Sequence, residues 1–436
     1  MHCSLFEPHE SRNVTYQDAI NFLFPLHRFG MKPGLERIRS LLNAVGNPQK
    51  RLGKVVHIAG TNGKGTVAYA VASIFSSAGF TTGLYTSPHL VSFTERICVN
   101  GCRIPEPQVA AYCDVLKEEV ADRKATFFEV TTAMACMYFA EMQAEVSVIE
   151  TGMGGRLDAT NVVDPDYVII PSIGKDHTAW LGDTVEKIAA EKAAIIKKGS
   201  RVYTAVKDPA ALKPIIGRAA AVGATLHVLQ DFPEPVVHSA AVGELVFSLK
   251  ARGADFRKLK SGVTGDFHAS NLELAVLAAH DAGIEERSIR KGLLSMRDFG
   301  YRARLERLSG KPDLLLDVAH NPDGMEKSVN TLLRFSHAYR NVLVVLGLVR
   351  DKDVAEVVRC LKKLTKTVIT VNLLSERGLP ASELGGMCRN EGFHAIVAET
   401  AAEALDIVKR TADKDDLVLV TGSFYLAGEV LKLMKR

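Results

Sequence analysis

The residues best suited to chemistry lie in one short run, Gly60-Thr61-Asn62-Gly63-Lys64-Gly65-Thr66. The run follows the apolar stretch Val55-Val56-His57-Ile58-Ala59 and opens an apolar helical stretch from Thr66 to Ala78. A loop between a buried strand and a helix turns free backbone N–H groups and the positive end of the helix dipole toward one point, which favours an anion. Gly60, Gly63 and Gly65 let the backbone approach phosphates, Lys64 supplies a point charge, and the Thr66 hydroxyl can ligate Mg²⁺. The spacing departs from the common GxxxxGK[ST] pattern, because the first interval is shorter and Gly65 separates Lys64 from Thr66. An ordinary Gly-rich turn is the plain alternative.

Other candidates stand where further strands should end. Glu150 closes the run Val146-Ser147-Val148-Ile149 and precedes a second Gly cluster, Gly152-Met153-Gly154-Gly155-Arg156-Leu157-Asp158. A carboxylate and a hydroxyl are the oxygen donors that a hard cation prefers, so Thr66 with Glu150 makes a minimal Mg²⁺ pair. Asp176-His177 follows Tyr167-Val168-Ile169-Ile170, and His177 is either structural or a metal ligand. Lys192 reads as a surface lysine from helix position alone. Asp317-Val318-Ala319-His320-Asn321-Pro322 again follows a buried strand; Asn321-Pro322 is turn chemistry, with Pro322 suited to a first helical position. Arg302, Arg304 and Arg307 are either a solvated basic face or anion donors.

The elements that must hold these residues alternate between short apolar strands and helices, which predicts parallel α/β sheets covered on both faces. A helix is expected from Thr184 to Lys198 with Gly199 as its C-cap, and another from Asn271 to Ala282. Residues 232–260 read as hairpin-like strands. A break at Asp298-Phe299-Gly300 precedes a second series: Leu314-Leu315-Leu316, Val342 to Leu346, Val368 to Val371, Ala395-Ile396-Val397 and Leu417 to Val420, closed by a helix from Phe424 to Met434. The fold class expected is α/β: a parallel-sheet domain that contains the phosphate loop, then a second, smaller α/β domain, with the boundary near residues 297–302.

A chain of 436 residues is too long for one comfortable core, which agrees with two domains. Its 47% hydrophobic and 24% charged residues are ordinary for a soluble globular protein, and a net charge of +4 requires no polyanionic partner. No basic run interleaved with aromatics is present, so no nucleic-acid partner is expected. The apolar runs fall short of the roughly 20 residues a membrane helix needs, and no secretory signal is visible. Seven scattered cysteines without a CxxC pair read as reduced thiols in a cytoplasm.

Taken together, the blocks resemble the folylpolyglutamate synthase/dihydrofolate synthase family, a branch of the Mur ligase superfamily, over nearly the whole length. Matching runs are Phe29 to Ile38, His57 to Thr66, Thr86-Ser87-Pro88-His89-Leu90, Glu95-Arg96-Ile97, Phe128-Glu129-Val130-Thr131-Thr132-Ala133 and Glu150 to Asn161. They continue through Ile173-Gly174-Lys175-Asp176-His177 to Glu191-Lys192, then Asp317 to Pro322 and Thr421-Gly422-Ser423-Phe424-Tyr425.

The resemblance implies ligation of L-glutamate to a folate or dihydropteroate carboxylate through an acyl phosphate, releasing ADP and phosphate. It implies ATP and Mg²⁺, with the loop amides and Lys64 on the triphosphate, Thr66 and Glu150 on one cation, and Glu150 and His177 on a second. It makes Lys192 a lysine carbamylated by CO₂, residues 1–297 a P-loop-containing ATP-binding central domain and residues 302–436 a smaller C-terminal Rossmann-like ligase domain. Asn271, Arg304, Asp317 and His320 become positions that meet nucleotide or the incoming amino acid, with Lys64, Lys192 and His320 catalytic. Ser87, Pro88, His89, Phe128, Asp317 and His320 become substrate contacts. A cytoplasmic monomer acting on small molecules is expected.

The chain departs from the family pattern at four places. Val318 and Ala194 stand where glycine is usual, and Tyr301-Arg302-Ala303-Arg304-Leu305-Glu306 replaces a Trp-x-Gly-Arg-x-Glu block. Phe267-His268-Ala269-Ser270-Asn271 lacks the usual His-Gln pair. The other readings are a Mur-type ligase acting on a cell-wall precursor, a non-catalytic nucleotide switch and a small-molecule kinase.

Overall fold

The structure, a computed structural model, describes residues 14–29, 33–251, 253–308 and 311–434. Gly30, Met31 and Lys32 of the block that begins at Phe29 lie outside the described residues, as does Cys3.

The short apolar runs become strands. β1 (Lys54–Ile58), β2 (Thr82–Tyr85), β3 (Ile97–Val99), β4 (Cys102–Arg103), β5 (Val146–Glu150), β6 (Tyr167–Ile170), β7 (Arg201–Thr204) and β8 (Thr225–Val228) form one sheet in the order β4-β3-β2-β5-β1-β6-β7-β8. The six strands from β2 to β8 are parallel, whereas β3 and β4 pair antiparallel at one edge. That edge was not expected. It arises because the chain turns straight back after β2 instead of crossing over through a helix.

β1 lies in mid-sheet and is covered on both sides. Val56 and Ile58 pack in the cluster that contains the helix Lys64–Ser77, while Val55 packs with the helix Phe127–Glu141 on the other face. Alternate side chains of a strand point to opposite faces, so a continuous apolar run is what a doubly covered strand requires.

Three antiparallel strands, β9 (Val236–Ala241), β10 (Glu244–Ala251) and β11 (Ala254–Ser261), account for the extended stretch after Phe232. The second large sheet contains β12 (Glu306–Leu308), β13 (Asp313–Leu316), β14 (Val342–Leu346), β15 (Thr367–Val371), β16 (His394–Ala398) and β17 (Leu417–Thr421). Their order is β12-β13-β17-β14-β15-β16, parallel except for β12. Each face of this sheet carries its own apolar cluster.

Two helices differ from expectation. The helix expected to run to Lys198 spans only Val185–Ala193, capped at its start by the Thr184 side chain on the Lys187 N–H. Beyond it, Ile195 and Ile196 are both fully buried and Lys197 Nζ reaches the Asn161 carbonyl oxygen at 3.2 Å, so the chain leaves the helix before Gly199. The helix expected from Asn271 begins three residues earlier, as His268–Asp281. Cys98, Cys113, Cys136, Cys360 and Cys388 are free thiols; Cys102 is disulfide-bonded, which departs from the expectation of uniformly reduced cysteines.

Candidate active site

Strand register brings the candidates to one edge. Ile58 at the end of β1 pairs with Glu150 on one side and Ile169 on the other. The loop after β1, the carboxylate of Glu150 and the segment leading to His177 therefore leave from the carboxyl ends of three adjacent strands, where open α/β sheets gather ligands.

The loop itself is divided in two. The amide N–H groups of Thr61 and Asn62 are taken by the Ser172 carbonyl (2.9 Å) and hydroxyl (2.9 Å), and the Thr61 hydroxyl donates to the Gly174 carbonyl (3.0 Å). Gly63 caps the helix Lys64–Ser77 at φ +85°, where a Cβ would also fall 2.6 Å from Asn271 Oδ1. Only glycine meets both demands. Lys64, Gly65 and Thr66 form the first helical turn, whose N–H groups lack intrahelical acceptors, so these amides face an anion and those of Thr61 and Asn62 do not. Lys64 Nζ curls back over the loop to the carbonyl oxygens of Gly60 (3.0 Å) and Thr61 (3.3 Å).

Lys192 departs most from what its position in the sequence predicts. It is 4% exposed, not a surface lysine, and its Nζ donates to the Gly60 carbonyl at 3.0 Å. Burial, with the Lys64 ammonium as second cause, brings its pKa down to about 7. The second Gly cluster explains the approach: a Cβ on Gly155 would lie 2.6 Å from the Glu191 carbonyl oxygen and 3.0 Å from Lys192 Cα. That cluster seats the helix that carries Lys192.

Glu150 is buried and accepts a hydrogen bond from the Ser87 N–H at 3.2 Å. Burial raises its pKa, while Lys64 and the Ser87 bond oppose the rise. Among the described residues no lysine or arginine forms an ion pair with it. A buried carboxylate without a contacting cation suits a metal ion. His177 caps the short helix Thr178–Leu181 at φ +52°, and burial lowers its pKa to about 4, which keeps the imidazole neutral as a metal ligand requires. No group of three or more His, Cys, Asp or Glu among the described residues forms a metal cage by itself. A cation here would draw on the Thr66 hydroxyl and on phosphate or water oxygens, which fits Mg²⁺.

The second sheet supplies the opposite wall. Arg304 lies against Gly65, where a Cβ would meet its Nη2 at 3.7 Å, and its guanidinium stacks on Phe424 at 5.0 Å. Ala303, where the family pattern has glycine, keeps a left-handed φ of +55°. His320 donates from Nδ1 to the Val318 carbonyl at 2.9 Å, since a carbonyl can only accept; burial brings its pKa down to about 4, so Nε2 carries a free lone pair. Asp317 is committed within its own domain: it accepts from the Ser328 hydroxyl at 2.7 Å and the Leu305 N–H at 3.3 Å. Asn271 Nδ2 stands 3.5 Å from His268 Nδ1 beside the loop.

The substrate candidates separate. Ser87, Pro88 and His89 line a cleft with Glu150, Tyr301, Arg304 and Phe424, and Arg96 Nε lies 2.8 Å from His89 Nδ1. Phe128 packs instead where a Cβ on Gly152 would stand, and against the Tyr85 ring.

Several contacts escaped sequence reasoning. The side chain of Asn62, a residue of the expected phosphate loop, makes reciprocal amide bonds with Asn321 at 3.2 Å and donates to Asp323 at 2.7 Å. Asp176 binds Lys352 Nζ at 2.6 Å and Asn321 Nδ2 at 3.1 Å. Gly428 on the last helix comes so near the Leu90 carbonyl that a Cβ would sit 1.9 Å from its oxygen. Only the Asn321-Pro322 turn carried any signal in the sequence. Lys352 stands in a mixed-charge run that reads as solvated surface.

Comparison with known proteins identifies the family and agrees with the fold. Residues 58–279 match the Mur ligase middle domain and residues 303–424 the Mur ligase glutamate ligase domain. The chain is 33% identical over 436 residues to the dihydrofolate synthase/folylpolyglutamate synthase of Bacillus subtilis, covering 97% of this chain and 100% of that one. It is similar to the structure of E. coli FolC in complex with DHPP and ADP, with a TM-score of 0.86 and 30% identity over 97% of this chain and 98% of that one. It is also similar to a bifunctional folylpolyglutamate synthase/dihydrofolate synthase with Mn, AMPPNP and L-glutamate bound, with a TM-score of 0.82 and 29% identity over 96% and 98% of the two chains.

Proposed function

The chain belongs to the folylpolyglutamate synthase/dihydrofolate synthase family of Mur ligases, and from that membership we propose that it joins L-glutamate to a folate or dihydropteroate carboxylate with ATP. The observation that carries the reading is the convergence of the phosphate loop, Glu150, His177 and Lys192 at one sheet edge, faced by Arg304 and His320 from the other sheet.

A carboxylate is a poor electrophile at neutral pH, and transfer of the ATP γ-phosphoryl group gives it a leaving group. The amine of glutamate then attacks the acyl phosphate, an amide forms and phosphate leaves. Most of the catalysis is positioning and neutralising the charges that meet. The amides of Lys64, Gly65 and Thr66 and the Lys64 ammonium hold the phosphates, and Arg304 guards the same loop from across the cleft. Thr66, Glu150 and His177 would hold Mg²⁺, which when bound shields the phosphate charge and polarises the transferring group. His320 Nε2, with its free lone pair, is placed to accept a hydrogen bond from the incoming amine of glutamate and so orient it.

Lys192 completes the site as a carbamate. Its buried amine is neutral at a pH just above 7, so its nitrogen can attack CO₂; an N–C bond forms as one C=O π bond opens, a proton leaves the nitrogen, and the neutral amine becomes an anionic oxygen donor beside the loop. This reading makes ATP, L-glutamate and a folate or dihydropteroate the partners, a cytoplasmic monomer the working state, and residues 297–302 the division between domains.

The test is a turnover with dihydropteroate whose carboxylate carries heavy oxygen, together with ATP, Mg²⁺ and glutamate. One labelled oxygen should appear in the released phosphate, and label retained wholly in the amide product and water would exclude the acyl phosphate.

A further inference from the structure

Tyr301 follows the helix Glu286–Ser295 and precedes β12, so it stands where the chain passes from the first sheet to the second. Its hydroxyl lies 3.1 Å from Thr66 Oγ1, and its ring meets the Tyr69 ring edge-on with centroids 5.7 Å apart. Thr66 and Tyr69 are three residues apart in the helix Lys64–Ser77 and therefore share a face. Tyr301 and Thr66 are both buried. The junction residue is thus pinned at two points to the helix that carries the phosphate loop, and it lines the cleft that also contains Glu150 and Arg304.

A hydroxyl that lends a lone pair to a cation retains its hydrogen, and in a buried site that hydrogen needs an acceptor. The Tyr301 oxygen is placed to be it.

We propose that Tyr301 is a positioning residue for divalent-cation binding, whose oxygen accepts the Thr66 hydroxyl hydrogen and leaves the Thr66 lone pairs to the cation. The proposal rests on the reading of Thr66 as a cation ligand. It also gives the altered block at residues 301–306 a physical meaning: an indole N–H can only donate, so a tryptophan at this position could not accept the Thr66 hydrogen. The order of the cation site then depends on the residue that joins the two sheets. Orienting partners of this kind typically change metal affinity by about ten- to a hundredfold.

The experiment is a titration of the full chain with Mn²⁺ in the presence of AMPPNP, reading free Mn²⁺ by electron paramagnetic resonance. Tyr301→Phe keeps the ring against Tyr69 and should weaken Mn²⁺ binding about tenfold. Tyr301→Trp should weaken it similarly, so the readout survives if one variant fails to fold. Thr66→Ala should weaken binding at least as much, and adding Tyr301→Phe to it should cost nothing further, because the two residues act as one unit. Unchanged affinity in Tyr301→Phe and Tyr301→Trp, or a full further loss in the double variant, overturns the proposal. Unchanged affinity in Thr66→Ala overturns the underlying assignment of Thr66 instead.

Discussion

The Lys352 ammonium lies 2.6 Å from Asp176 Oδ1, and this ion pair joins the second sheet's domain to the strand end that carries His177. The two side chains are 5% and 11% exposed. Burial works to raise the Asp176 pKa, but His177 and Lys352 win and hold it well below the usual carboxylate range. The pair is therefore fully formed above the ordinary aspartate range, and its contribution is lost only as pH falls through the depressed value. Removing one partner strands the other charge, at a cost of about 3–5 kcal/mol if the site stays closed. Lys352→Met should respond by opening: a larger radius of gyration in solution scattering and a lost ligation rate, with each domain still folded. An unchanged radius and rate would mean that the pair does not hold the cleft.

At Lys192 the buried charge is a penalty instead of a gain, although stability again rises with pH. Its folded pKa, about 7, is below the unfolded value of a lysine, so its burial penalty is fully present below pH 7 and is relieved as pH rises from there toward the ordinary lysine value. Lys192→Met should therefore raise the melting temperature more at pH 6 than at pH 9, while abolishing ligation. Intact mass of the wild-type chain under CO₂ should show the added carbamate; activity insensitive to CO₂ depletion would argue against it.

Much of this site was legible because strand ends and glycine patterns are local. The run Val55 to Thr66 announces a strand, a cradle and a helix within twelve residues, and Glu150 and His177 each follow an apolar strand. What was hidden depends on distance in the chain. Lys192 looked exposed because helix periodicity does not reveal that Gly155, far upstream, lets its helix sink against the loop. The Asn62 side chain meets Asn321, and Lys352 meets Asp176, through packing between domains that neither segment encodes alone. Local patterning also overextended the helix at Lys198, where the buried pair Ile195-Ile196 overrides it.

Gly428 tests the closeness of the two halves. A Cβ there would lie 1.9 Å from the Leu90 carbonyl oxygen, which as backbone cannot swing aside. Although alanine favours a helix by about 1 kcal/mol over glycine, Gly428→Ala should lower kcat/KM about 100-fold, because a shift near 1 Å misaligns the reacting groups. Normal turnover in this variant would show that the last helix need not approach Leu90 during catalysis.

Lys64→Ala removes the cation nearest the phosphates. The loop should remain folded, since Ser172 and Gly174 hold Thr61 and Asn62 independently of it. A fall in kcat of about 10²–10³ with an unchanged melting temperature is expected, in line with the loss of one electrostatic donor. Comparable loss of fold and rate would make the residue structural.

The substrate is decided by one assay, phosphate release from ATP with Mg²⁺ and glutamate, run against dihydropteroate, tetrahydrofolate and a muramoyl precursor. Folate-directed ligation predicts glutamate-dependent phosphate release and an amide product with dihydropteroate, tetrahydrofolate or both, and neither with the muramoyl precursor. Ligation of the muramoyl precursor, or ATP turnover without any amide product, would contradict it.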